Sequence, residues 1–125
     1  MAYAYDDQNI FARILRGEIP NSTVMETEHT LAFRDIAPQA PVHVVVIPKG
    51  KYVTADHFSA EASNEEITDF WRTFSAIVSD LGLGADGDGF RMISNAGRDG
   101  MQEVPHFHLH LLAGHPLGPI LMRRG

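Results

Sequence analysis

"VPHFHLHLLAG", residues 104–114, sets His106, His108 and His110 at every second position with Phe107, Leu109 and Leu111 between them. Alternation of this kind is a strand signature, because successive side chains of an extended chain point to opposite faces. The apolar set predicts a side turned to the core, and the three imidazoles a shared opposite side. Packing has no need for three histidines in register, and clustered imidazoles disfavour one another's protonation. The segment "PHFHLHLL", 105–112, therefore predicts a strand that carries a site as well as part of a sheet.

Upstream, "AGRDGMQEV" (96–104) reads as a loop, "FRMISN" (90–95) as a strand and "GLGADGDG" (82–89) as a turn. Within it "DGDGF" resembles part of a calcium loop, but the closing glutamate such a loop needs is absent. Before the turn, Ser63 and Glu66 form a capping box. Ile67, Phe70, Trp71, Phe74, Ile77, Val78 and Leu81 follow at helical spacing as far as Gly82. This is the longest helix, and Trp71 is assigned to its buried face.

"VHVVVIP" (42–48) is nearly continuous β-branched sequence and predicts a central strand, entered through the extended "APQAP" and ended by Pro48 and Gly50. "STVMETE" (22–28) and "TLAFRDI" (30–36) read as a hairpin turning near Glu28 and His29. Ile10, Phe11, Ile14 and Leu15 predict a short helix, with Asp6 and Asp7 as caps and Gly17 and Pro20 as stops. Strands joined by a hairpin with helices inserted between them predict an α+β domain. Its antiparallel sheet has about five strands, with one short and one long helix.

Composition bounds the function. At 125 residues with 44% hydrophobic and 21% charged residues, one domain is expected, with no repeat or low-complexity tract to divide it. With no cysteine, disulfides and thiolate metal sites are excluded, and a metal would need His, Asp or Glu. A net charge of −6 argues against a duplex nucleic-acid grip, which needs a basic face, while leaving room for a small anion. The N-terminus lacks a signal-peptide pattern and no apolar run approaches bilayer length, so a cytoplasmic protein with no membrane association is expected. Arg123 and Arg124 read as a solvated tail.

Two chemistries suit three aligned imidazoles: a zinc site with one open position, or nucleophilic catalysis by a neutral imidazole whose neighbours fix its tautomer. The spacing does not separate them. The run from His106 to Leu112 resembles the His-φ-His-φ-His-φ-φ signature of the histidine triad (HIT) superfamily, φ being hydrophobic. "IFARILRGEIP", "AFRDIAPQAPVHVVVIPK", "FRMISNAGRDGMQEVPHFHLHLLAG" and "HPLGPIL" resemble its nucleotide-binding HINT branch in order and spacing, in the bacterial manner.

The resemblance implies a single HIT domain over 1–125 with a C-terminal tail over 113–125. It also implies a symmetric homodimer, no catalytic metal or cofactor, and hydrolysis of purine nucleoside 5′-phosphoramidates or aminoacyl adenylates. AMP or GMP is the nucleotide expected. By motif position His108 is the nucleophile that carries the nucleotide, and His110 donates to a phosphate oxygen or the leaving group. His106 and His43 are expected to complete the hydrogen-bond chain that keeps Nδ1 of His108 protonated. Asp35 matches the ribose site, Ile10, Phe11, Ile14, Phe33 and Ile36 the apolar purine walls, and Asn95, Gly100, Met101, Gln102 and Glu103 the loop at the phosphate and leaving group. Glu103, Pro105 and His115 depart from the common pattern, which puts leaving-group preference in question. A Fhit-like dinucleoside polyphosphate hydrolase and a non-catalytic nucleotide- or metal-binding module are the alternatives.

Overall fold

The computed structural model describes residues 2–122, so the tail arginines Arg123 and Arg124 lie outside the described residues. Along the chain run α1 (Ile10–Leu15), β1 (Thr23–Glu26), β2 (Thr30–Arg34) and β3 (Val42–Pro48). They are followed by α2 (Ala55–Glu61), α3 (Asn64–Asp80), β4 (Arg91–Ile93) and β5 (Leu109–Ala113). The strands form one antiparallel sheet in the order β1-β2-β3-β5-β4. The α+β class and the five strands are as expected from sequence.

β3 lies at the centre and is covered on both faces, which is why its sequence is apolar without a break. Val44 and Val46 join Phe58, Phe70, Phe74, Ile77, Leu109 and Leu111 in a core under α2 and α3. Val45 and Ile47 join Phe11, Ile14, Leu31 and Phe33 in a second core under α1. In an antiparallel pair, partners share a face, so the pairing of Val45 with His110 and of His43 with Leu112 puts both histidines on the α1 side. The fold thus sets the larger core on one face and the histidines, beside the smaller core, on the other.

Four sequence expectations need correction. The short helix is capped by Asn9, whose side chain accepts from the Phe11 and Ala12 N–H groups at 2.9 Å each, and not by Asp6 or Asp7. Asp6 instead orders the preceding turn, its carbonyl accepting from Asn9. A third helix, α2, was not anticipated. It has seven residues and buries only His57 and Phe58, too short a stretch for a helical period to show.

Trp71 is 42% exposed and rests edge-on against Phe70 and Phe74, because the sheet covers only the stripe of Phe70, Thr73, Phe74 and Ile77. The histidine strand begins its ladder at Leu109, not near Pro105: the chain bends over residues 104–106, and residues 105–108 make no sheet pairing.

The predicted capping box of α3 is present: Glu66 N–H donates to Ser63 Oγ at 3.1 Å, and Ser63 N–H donates to Glu66 Oε1 at 3.0 Å. Asp69, on the same helix, accepts from the hydroxyls of Thr27 and Thr30 and so clips α3 to the β1–β2 hairpin. No helix among the described residues is long and apolar enough to cross a membrane.

Candidate active site

The alternation persists through the unpaired stretch. Phe107 packs on Phe58 and Phe70, with ring centroids 5.1 and 5.2 Å away. His106 and His108 turn the other way, toward Phe11 of α1, whose ring meets that of His108 edge-on with centroids 4.9 Å apart. His108 and His110 are 4.9 Å apart, and His110 and His43 are 5.1 Å apart.

Backbone partners decide the tautomer of each ring, since a carbonyl can only accept and a peptide N–H can only donate. His108 Nδ1 lies 2.7 Å from the His106 carbonyl, so Nδ1 carries the proton and Nε2 keeps its lone pair. His106 Nε2 lies 2.8 Å from the Pro48 carbonyl and donates to it, leaving Nδ1 to accept the Tyr5 hydroxyl at 2.6 Å.

Gln39 N–H donates to His43 Nδ1 at 3.1 Å, so His43 carries its proton on Nε2 and gives it to His110 Nδ1 at 2.9 Å. His110 in turn must carry its proton on Nε2. The four rings thus present one free acceptor, His108 Nε2, and one free donor, His110 Nε2–H.

The expected wiring needs revision in two respects. The group that orients His108 is the main-chain carbonyl of His106 and not its imidazole, while His43 orients His110.

Burial disfavours the charged form of the three triad rings. It pulls His106 down from 6.5 to about 4, and it lowers His108 as well. For His110, burial comes first and the neighbouring His108 and His43 add to it, bringing the group to about 4.

A cleft of ≈ 130 Å³ opens beside the histidines, between α1 and the end of β2. Ile10, Phe11, Ile14, Phe33, Asp35 and Ile36 all line it, so the residues expected to hold the nucleoside are brought together. Ile10 and Ile36 are exposed, and in Ile36 almost the whole side chain is free, an arrangement that core packing does not explain. Asp35 sits where the cleft meets the histidines. Its Oδ1 accepts from Ala37 N–H at 2.8 Å and its Oδ2 is 3.4 Å from His43 Nε2.

The 95–103 loop residues do not line this cleft. Gln102 acts as an internal staple, with Nε2 donating to the Val53 carbonyl at 2.7 Å and the Val104 carbonyl at 3.1 Å, and Oε1 accepting from Gly97 N–H at 3.0 Å. Gly100 is demanded by the turn itself, because a Cβ there would sit 2.6 Å from the Ala96 carbonyl oxygen. Asn95 is half-buried, while Met101, at a positive φ of 56°, and Glu103 are exposed. His115, exposed in the C-terminal segment, bonds locally to the Pro116 carbonyl.

Asp35, His43 and His110 place one potential ligand atom each within 4.8 Å of one another, the geometry of a possible cation site. The protons argue against it. A ligating histidine offers a lone pair to the metal and donates from its other nitrogen. His43 faces a peptide N–H through Nδ1, so its Nε2 cannot offer a lone pair without the ring becoming an anion. The trio fits a proton-bearing network better than a metal cage.

Sequence reasoning missed Tyr5, which lies in a segment with no periodicity, and the main-chain groups at Gln39 and Pro48, which no side-chain pattern reports.

Comparison with known proteins places this geometry. Residues 16–117 match the family model of the HIT domain. An uncharacterized 13.2 kDa HIT-like protein of Azospirillum brasilense is 54% identical over 123 residues, 98% of this chain and 99% of that protein. The purine nucleoside phosphoramidase of Escherichia coli is 42% identical over 119 residues, 95% and 98% of the two chains. A solved HIT family hydrolase from Clostridium thermocellum is similar with a TM-score of 0.81 at 32% identity, covering 94% of this chain and 99% of its own. A buried, tautomer-fixed histidine cluster beside an apolar cleft, in a chain matched over most of its length, belongs to the HIT family.

Proposed function

We propose that this chain, read as one HIT domain with a C-terminal tail from residue 113, hydrolyses purine nucleoside 5′-phosphoramidates through a nucleotidyl-His108 intermediate. The observation that carries the reading is the free Nε2 lone pair of His108, held by the Nδ1–H bond to the His106 carbonyl and kept neutral by burial. Similarity to the E. coli phosphoramidase supports the substrate class.

In this reading the purine lies between Ile10, Phe11, Ile14, Phe33 and Ile36, and Asp35 accepts from the ribose hydroxyls. His108 Nε2 attacks the α-phosphorus. The phosphorus–nitrogen bond breaks and the amine departs with its electron pair and a proton. As the His108 ring gains positive charge, its Nδ1–H bond to the carbonyl strengthens, which favours the transition state over the ground state. His110 Nε2–H donates to a phosphoryl oxygen or to the departing nitrogen. Water then attacks the same phosphorus, the phosphorus–Nε2 bond breaks, and a nucleoside monophosphate such as AMP or GMP is released.

An exposed carboxylate at Glu103, on the loop assigned to the leaving group, suits a cationic amine better than an anion. Aminoacyl adenylates, with their ammonium group, meet the same condition.

Trp71, Phe90 and Met92 are 41–49% exposed beside the short edge strand β4, which supports pairing of two copies there as a homodimer. Sedimentation that returns a monomer at micromolar concentration would exclude the dimer.

The test of the chemistry is direct. Adenosine 5′-phosphoramidate should be turned over in excess chelator, and mass spectrometry of a neutral quench should find a nucleotidyl group on His108. Turnover surviving in His108→Ala, or lost on chelation, sinks the mechanism. Faster cleavage of diadenosine polyphosphate would favour the dinucleoside hydrolase instead.

A further inference from the structure

We infer that Tyr5 is a positioning residue for the candidate nucleophile, so that the N-terminal segment ahead of α1 is part of the active-site scaffold. The inference rests on the reading of His108 given above.

The starting point is a gap in the sheet. Residues 105–108 carry the first two histidines but make no ladder bonds, because β5 begins at Leu109. Main-chain bonds restrain this stretch at two points: His106 N–H donates to the Val104 carbonyl at 2.8 Å, and Phe107 N–H donates to the Tyr52 carbonyl at 2.7 Å.

The carbonyl of His106 is also the group that orients His108, so the angle of the 106–107 peptide sets where His108 Nε2 points. That peptide is fixed from its other side by the His106 ring. The ring is wholly buried, with one nitrogen on the Pro48 carbonyl and the other on the Tyr5 hydroxyl. Side-chain bonds do here what ladder bonds do in the rest of the strand.

Of these two anchors, Pro48 ends the central strand and is held by the sheet. Tyr5 sits in a stretch without helix or strand, with its ring edge-on to His106 at 5.6 Å. Residues on either side tie the segment down: Tyr3 O–H donates to Asp56 Oδ2 at 2.6 Å, and Asp7 pairs with Lys51 at 2.8 Å. Because the Tyr3 ring also stacks on His57 at 4.9 Å and Asp7 holds the far side, loss of the exposed Tyr3 hydroxyl leaves the segment in place, and Tyr5 is the residue of the segment whose hydroxyl reaches the triad.

His106, on this account, touches no substrate. It transmits the position of Tyr5 to His108 and lets one buried nitrogen be satisfied from a distant part of the chain.

The test compares Tyr5→Phe with Tyr3→Phe. Each removes one hydroxyl from the same segment, and only the first touches the triad. With adenosine 5′-phosphoramidate, Tyr5→Phe should lower kcat at least tenfold with KM within twofold of the parent, because the cleft is untouched. Tyr3→Phe should leave kcat within twofold.

Nitrogen-15 and proton NMR supply an arm independent of turnover. In Tyr5→Phe the His106 Nδ1 resonance should move toward that of a bare acceptor, and the His108 Nδ1–H proton should exchange with water faster. Unchanged kcat and unchanged exchange in Tyr5→Phe overturn the inference, as does an equal loss in both variants. If the parent cleaves no phosphoramidate, the functional reading fails while the exchange measurement still decides the role of Tyr5.

Discussion

The buried triad histidines make the fold acid-sensitive in a window set by imidazole. His106 titrates near 6.5 when the chain is unfolded and near 4 when it is folded, because burial opposes its charge. Between those values the unfolded chain binds more protons than the folded one, so stability falls as the pH falls. Taking the pH from 7.5 to 4.5 should cost about 2.5 kcal/mol through His106 alone, from about 1.4 kcal/mol per unit of pKa.

His110 titrates over the same window, from 6.5 to about 4. It adds less, since the ring is only partly buried and its charge can be solvated. Against a total of about 5–15 kcal/mol for a domain, the loss is large.

At Asp69 the hydrogen bonds from Thr27 and Thr30 outweigh burial and hold the group below its ordinary 3.8, so its contribution is lost at lower pH. Urea titrations followed by Trp71 fluorescence at pH 7.5, 6.5, 5.5 and 4.5 should show a midpoint that falls steadily.

The decisive variant is His106→Gln, whose amide can donate to Pro48 and accept from Tyr5 without titrating. Its midpoint should fall measurably less than the parent's, with His108 and His110 supplying what remains. If it falls as steeply as the parent does, His106 is not the group responsible and its depressed affinity for protons is refuted.

Three further outcomes follow from the same geometry. The acid limb of kcat/KM for phosphoramidate should lie below 6.5, because His108 must be neutral to attack and burial lowers it; a limb above 7 would contradict this. Ile10→Ala should raise KM severalfold for a purine substrate. Its effect on the urea midpoint should be that of a surface change, about 0.5 kcal/mol or less, because Ile10 is exposed yet lines the cleft; an unchanged KM would remove it from the base site. Gly100→Ala should destabilise the 97–102 turn by roughly 1–3 kcal/mol, since the added carbon meets Ala96 N and O at 2.7 and 2.6 Å. Thermal melting that shows no loss would mean the turn can relax.

Where a sequence signal came from side-chain periodicity, the structure follows it. The alternation at 106–111 gave the two faces, the β-branched run gave the central strand, and Ser63 with Glu66 gave the start of α3 to the residue. Where the deciding partner is a main-chain group, the sequence is silent. It could not say that the His106 carbonyl, the Pro48 carbonyl and the Gln39 N–H set the tautomers. Nor could it separate an Asn9 cap from two nearby aspartates, because all three are good caps and only the entry angle of the chain chooses. The clustering of Ile10, Phe11, Ile14, Phe33, Asp35 and Ile36 was legible through family resemblance and not through pattern, since each alone reads as core or surface.

The strand order also bears on how the molecule is assembled. β5 inserts between β3 and β4, and among the described residues β4 pairs with no other strand. A growing or refolding chain therefore holds β4 unpaired until residues 109–113 dock, and docking them brings His110 against His43 in the same step. Completing the sheet and completing the histidine cluster are one event. A partly folded chain that lacks the final pairing exposes one edge of the central strand and has no His43–His110 bond.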